Sequence, residues 1–159
     1  MRLVLAVDWL LELVLDLGKW LVVPVVILLF LQWPLRDLVQ AYSREANDLG
    51  QWIFALFMAA AVTAATRERI HLAADTFAQR YAPRWRALIA RAGALLGLVP
   101  WALFVLYASR TTVWMSVRQL ESFPDTLNPG YFLVKLALWL LAGLLLLQAI
   151  VDVVRPRSQ

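Results

Sequence analysis

The sequence predicts an all-α integral membrane protein with four transmembrane helices. An amphipathic helix at the membrane interface precedes the first span, and another occupies the loop between the second and third. Three observations carry this. The chain is 62% hydrophobic over 159 residues, well above the roughly half-apolar composition of soluble domains, and its mean hydropathy is +0.69. The apolar residues come in long uncharged blocks: 16 residues between Lys19 and Arg36, 18 from Leu49 to Thr66, 18 from Ala92 to Ser109 and 16 from Leu136 to Val151. A bilayer core of about 30 Å needs about 20 helical residues. Each block reaches that length once flanking side chains such as Lys19, Arg110 and Lys135 extend their charged heads to the interface. The third observation is the distribution of positive charge, which fixes orientation.

The first 18 residues, MRLVLAVDWLLELVLDLG, are apolar apart from Arg2 and acids at Asp8, Glu12 and Asp16. A step of four residues advances a helix by about 400°, so these acids drift only about 40° per step and form one stripe. The segment 1–18 therefore reads as an interfacial helix, its apolar face in lipid. Its acids either face water or meet a basic partner. A secretory leader is not expected, because acids precede the apolar block and no small-x-small cleavage site follows it. The first span is placed at about 19–36 and the second at about 48–66, with Asn47 or Asp48 as its cap.

A cytoplasmic loop follows at 67–87, amphipathic up to Pro83, with basic residues positioned to meet anionic headgroups. The third span is expected at about 90–114 and a periplasmic loop at 115–130, where Pro124, Asn128, Pro129 and Gly130 are turn formers. The fourth span is expected at about 131–152, followed by a tail at 153–159. Four spans put both termini and the middle loop on one side. That side holds Arg2, Lys19, Arg67, Arg69, Arg80, Arg84, Arg86, Arg91, Arg155 and Arg157, against Arg36, Arg44, Arg110 and Arg118 on the other. Positive charge marks the cytoplasmic side. Trp20, Trp33, Trp52, Trp101, Trp114 and Trp139 fall mostly toward span ends, as an aromatic belt requires.

Small residues suggest where helices approach closely. Gly93 and Gly97 form a GxxxG pair, and Ala60/Ala64 and Ala61/Ala65 repeat its spacing. The spans lack what a carrier or enzyme needs. Their central thirds hold almost no polar groups, whereas a transport pathway requires them at mid-membrane. The chain has no cysteine, which excludes thiol chemistry and disulfides. Its basic residues are not interleaved with exposed aromatics on a polar surface, so the net charge of +4 does not point to nucleic acid.

The lone histidine, His71, has Glu68 three residues before it and Asp75 four after, so a helix would stack the three on one face. A zinc site built from these alone would lack the usual second imidazole. With Arg67 they read as a polar boundary at the cytoplasmic end of the second span, carrying no catalytic, cofactor or metal role.

Several stretches together resemble a known family. REANDLGQWIFALFMAAAVTAATRERIHLAAD is similar to the second span and inner loop of the DctQ-type small membrane subunit of TRAP transporters, with Arg67, His71, Leu72 and Asp75 matching its pattern. ESFPDTLNPGYFLVKLALWLLAGLLLLQAIVD resembles that family's outer loop and last span, with Glu121, Ser122, Pro124 and Pro129 as landmarks.

The resemblance implies a subunit of a sodium-driven secondary transporter in the bacterial inner membrane, importing an organic acid or related small solute. Its implied partners are a large DctM-type permease subunit, which would hold the solute and sodium sites, and a periplasmic solute-binding protein. The small subunit would brace the fixed part of the permease. Under this reading the Gly93–Gly97 face and the face of Ala60, Ala61, Ala64 and Ala65 are candidates for packing on the large subunit. Arg44, Glu45, Asp48, Arg118, Glu121 and Asp125 are candidates for contact with the docked binding protein. The alternative is a structural or assembly subunit of another membrane complex.

Overall fold

The structure, a computed structural model, describes residues 2–38, 43–68 and 82–154. Every extended element in it is a helix: α1 (Arg2–Lys19), α2 (Val22–Asp37), α3 (Arg44–Glu68), α4 (Pro83–Gly93), a π-helical turn (Ala94–Leu98), α5 (Val99–Arg118) and α6 (Tyr131–Val154). Four stretches are long and apolar enough to cross a membrane: Val4–Asp37, Arg44–Glu68, Arg91–Arg118 and Tyr131–Val154. The chain is a multi-pass membrane protein, as its hydropathy predicts.

α6 is the hub, packing against α1, α3 and α5, while α2 rests on α3. α6 can sit in the centre because it is apolar nearly all round, the pattern of a helix buried by its neighbours. Its buried residues are Ala137, Ala142, Leu144, Leu145, Gln148, Ala149 and Val151. Three of these are alanines, which let neighbouring backbones come close where lipid offers no hydrophobic drive between helices.

α1 is docked rather than merely laid on lipid. Leu11 is fully buried with Leu144 and Val151, and Val4, Val7, Val14 and Leu147 pack around them. A turn at Trp20–Leu21, closed by Trp20 N–H to Leu17 O and Leu21 N–H to Gly18 O, carries the chain directly into α2. α1 and α2 thus form one long apolar stretch with a kink. At that kink Gly18 is required: a Cβ there would approach the Ala60 Cβ to under 3.0 Å, closer than real Cβ atoms come.

The third span begins as helix at Pro83, inside the segment expected as loop. Its π turn has a local cause. Pro100 has no N–H to offer the Leu96 carbonyl, and its ring would clash with that group in a regular helix. Widening the preceding turn relieves the clash, and Val99 N–H bonds the Ala94 carbonyl instead.

Two sequence expectations are corrected. The cap of the second span is Ser43, whose Oγ accepts from the Ala46 N–H at 3.1 Å. The helix starts ahead of the apolar run, so Asn47 and Asp48 fall within its first turns. Trp139 is not at a span end but within α6, and its Nε1–H donates to Ser109 Oγ of α5 at 3.0 Å.

Candidate functional site

Two polar clusters stand at opposite ends of the bundle, and between them the spans are apolar or internally satisfied. The hydroxyls of Thr63, Thr66 and Ser109 donate to the carbonyls of Ala59, Val62 and Val105, one turn back on their own helices. Such bonds remove a polar group from competition without offering it to a substrate.

At one end, Arg67 joins three helices. Its Nη1 lies 2.8 Å from Asp8 Oδ1 of α1, and its Nη2 lies 4.0 Å from Glu12 Oε2. The same Nη1 donates to Gln148 Oε1 of α6 at 3.3 Å. Gln148, fully buried, passes its own Nε2–H to Asp152 at 3.0 Å. The Arg67 side chain is only 9% exposed. A guanidinium so enclosed must find carboxylates and carbonyls, since an unpaired buried charge is costly. The acidic stripe of α1 therefore meets a basic partner within the chain at Asp8 and Glu12. Asp16 pairs with Lys19 in its own last turn at 2.9 Å. Glu68 is exposed, and His71 and Asp75 lie outside the described residues.

At the other end, the loop between α5 and α6 is tied down by Asp48. Thr126 Oγ1 and Asn128 Nδ2 both donate to its Oδ2, so this carboxylate, on a residue 6% exposed, holds the loop onto α3. Phe123 is buried beneath the loop, edge-on to Tyr131. Leu120 and Leu127 adopt positive φ, and Gly130, at φ 137°, ends the loop at a backbone conformation that side chains rarely take. Lys135 pairs with Glu121, and this ammonium holds the Glu121 carboxyl below its ordinary value.

The residues singled out from sequence divide accordingly. Ala60 is buried against Gly18 inside the chain, while Ala61, Ala64 and Ala65 are half-buried. Gly93 and Gly97 are exposed, with nothing within 4 Å of an added Cβ. Arg44, Glu45, Arg118 and Asp125 are exposed, Glu121 is half-buried and Asp48 is committed to the loop. Among the described residues no group of three or more His, Cys, Asp or Glu could hold a metal ion. Sequence reasoning missed Gln148 as a bonding partner and Gly18 as a contact; a polar residue inside an apolar run was the available signal for the first.

With four membrane-spanning stretches packed on one another and tied at both ends by polar contacts, the chain is a multi-pass membrane protein. It is a member of the family described as tripartite ATP-independent periplasmic transporters, DctQ component, which it matches over residues 5–159. No curated protein and no solved structure matches it. The family is a transporter component family.

Proposed function

We propose that this chain is the bracing subunit of a sodium-driven TRAP transporter that imports an organic acid or related small solute across the bacterial inner membrane. The observation that carries the reading is a contrast between spans. In α6, 39% of the most apolar window is buried within the chain, but in the span Arg91–Arg118 only 6% is. That open span carries the Gly93–Gly97 pair, where a second helix can approach without meeting a side chain. A packed core joined to one open helix suits a part that adds mass and anchoring to a larger neighbour.

In this reading the large DctM-type subunit carries solute and sodium and packs on the Gly93–Gly97 face, with Ala61, Ala64 and Ala65 as a second contact. The Arg67 end faces the cytoplasm, following the positive charge. The Asp48 end faces the periplasm, where Arg44, Glu45, Arg118 and Asp125 lie within reach of a docked binding protein. Moving an elevator-like domain through the bilayer needs a counterpart that does not tilt, and α1 locked onto α3 and α6 stiffens such a counterpart. The test is uptake by the large subunit in proteoliposomes with its binding protein and a sodium gradient, with and without this chain. Uptake that requires the chain supports the role; equal uptake and equal stability of the permease without it would reject bracing.

A further inference from the structure

Among the residues whose structure is described, α4 carries an arginine-edged stripe that extends beyond the Gly93–Gly97 pair used in the bracing role. It is an 11-residue helix, PRWRALIARAG, continuous through the π turn with a membrane-crossing span. Trp85, Leu88 and Ile89 are exposed at 49%, 54% and 55%, and Arg84 and Arg91 are exposed with them. On a helical projection Leu88, Ala92, Trp85 and Ile89 form one stripe, spanning about 100°. Arg84 and Arg91, two turns apart, border that stripe on the same side as Leu88. The sequence has no Asp or Glu between Asp75 and Glu121.

The length of the span places this surface. From Pro83 to Arg118 the helix runs without interruption; at 1.5 Å per residue that is about 54 Å, against about 30 Å of hydrocarbon. Its first turns therefore stand in the headgroup region. An apolar stripe there with arginines along its edge matches an interface whose apolar layer lies beneath phosphates. α1 presents the opposite character at the same end of the bundle. Its exposed Trp9 is accompanied by Glu12 and Asp16, whose side chains are 66% and 65% exposed and pair with Arg67 and Lys19, so no unpaired basic stripe is offered to anionic headgroups there.

We infer that α4 is a binding surface for anionic phospholipid, with Arg84 and Arg91 taking the phosphate-bearing headgroup and Trp85, Leu88 and Ile89 entering the acyl boundary. The surface sorts lipids by net charge: a zwitterionic headgroup offers the arginines a phosphate whose charge its own ammonium offsets, while an acidic headgroup offers an uncompensated one. A basic side chain near an anionic membrane surface contributes about 1 kcal/mol, which corresponds to about fivefold in affinity for each arginine.

The absence of native cysteine permits a direct test. The full chain with Ile89→Cys carries a nitroxide and is reconstituted into nanodiscs of phosphatidylcholine alone or with phosphatidylglycerol. Native mass spectrometry of the unlabelled protein then measures phosphatidylglycerol retention. The expected result is a label that moves from water-accessible to oxygen-accessible when phosphatidylglycerol is present, an effect that weakens with salt. Arg84→Gln with Arg91→Gln should lower phosphatidylglycerol affinity by about 25-fold, the product of the two fivefold effects. Lys19→Gln, at an exposed position on α1, controls for general loss of charge and should leave affinity unchanged. Equal burial in both lipid compositions, or equal lipid retention by the double variant, would overturn the inference. Burial only after the large subunit is added would assign the surface to a protein instead. The lipid readouts are made on this chain alone and do not depend on whether it braces a permease.

Discussion

Asp8 near the start of α1 and Arg67 at the end of α3 face one another at 2.8 Å, and the arginine side chain is 9% exposed. This pair fixes the amino-terminal helix to the bundle and gives the chain one inflexible end. With Gly18 against Ala60 further along, it sets α1 antiparallel to α3 at two separated points.

Removing Asp8 leaves a nearly enclosed guanidinium with a single, more distant carboxylate, Glu12 at 4.0 Å. Asp8→Ala should therefore cost about 2–3 kcal/mol, below the full range for a broken buried pair because Glu12 compensates in part. Asp8→Leu combined with Arg67→Met should recover part of it, since an apolar pair has no charge to desolvate while the buried Gln148 Oε1 loses its donor. Reversible unfolding in mild detergent, run as a double-mutant cycle, checks both.

Gly18→Ala should destabilise the chain by about 1–3 kcal/mol, because the new methyl has no room against Ala60. Ala60→Gly in the same chain should restore stability. Thermal melts of the two single variants and the double variant read this directly; no rescue would mean that α1 does not lie against α3 at this point.

The Asp48 carboxylate accepts from both Thr126 and Asn128. Asp48→Ala should speed hydrogen exchange of the backbone amides from Phe123 to Gly130 by about 10–100-fold, the effect of losing about 1–3 kcal/mol of local stability. Asp125→Ala, at an exposed position, should leave exchange unchanged.

The Glu121–Lys135 pair has a defined pH window. The folded carboxyl titrates below the ordinary value of 4.5, principally through the Lys135 hydrogen bond. The unfolded state thus takes up the proton first, and the contribution to stability is complete above that ordinary value. It fades as pH falls through the lower, folded value. Loop exchange should be insensitive to this pair between pH 7 and about 5 and should accelerate below that range. Glu121→Gln should remove this acid-dependent component; an unchanged acid profile in that variant would show that the pair does not anchor the loop.

The spans were legible because their information is local: an uncharged run either reaches bilayer length or does not. The acidic stripe of α1 was half legible. Its spacing of four called for water or a basic partner, but the choice of Arg67 depends on how α1 folds back against α3. Asp48 was misread as a helix cap because the apolar run begins after it, while the helix itself starts at Arg44. Gly18 carries no local mark, because its requirement comes from the Ala60 methyl of another helix passing beside it. The glycines at 93 and 97 were visible as a motif, and the structure adds that no part of the described chain covers them.

If this chain is one fixed part of a larger permease, isolating it from its native membranes in mild detergent and weighing what accompanies it should show so. A near-stoichiometric, many-span permease subunit is expected, lost from a Gly93→Leu/Gly97→Leu variant that still melts at the wild-type temperature. Recovery of the chain alone, or with an unrelated complex, would contradict that role.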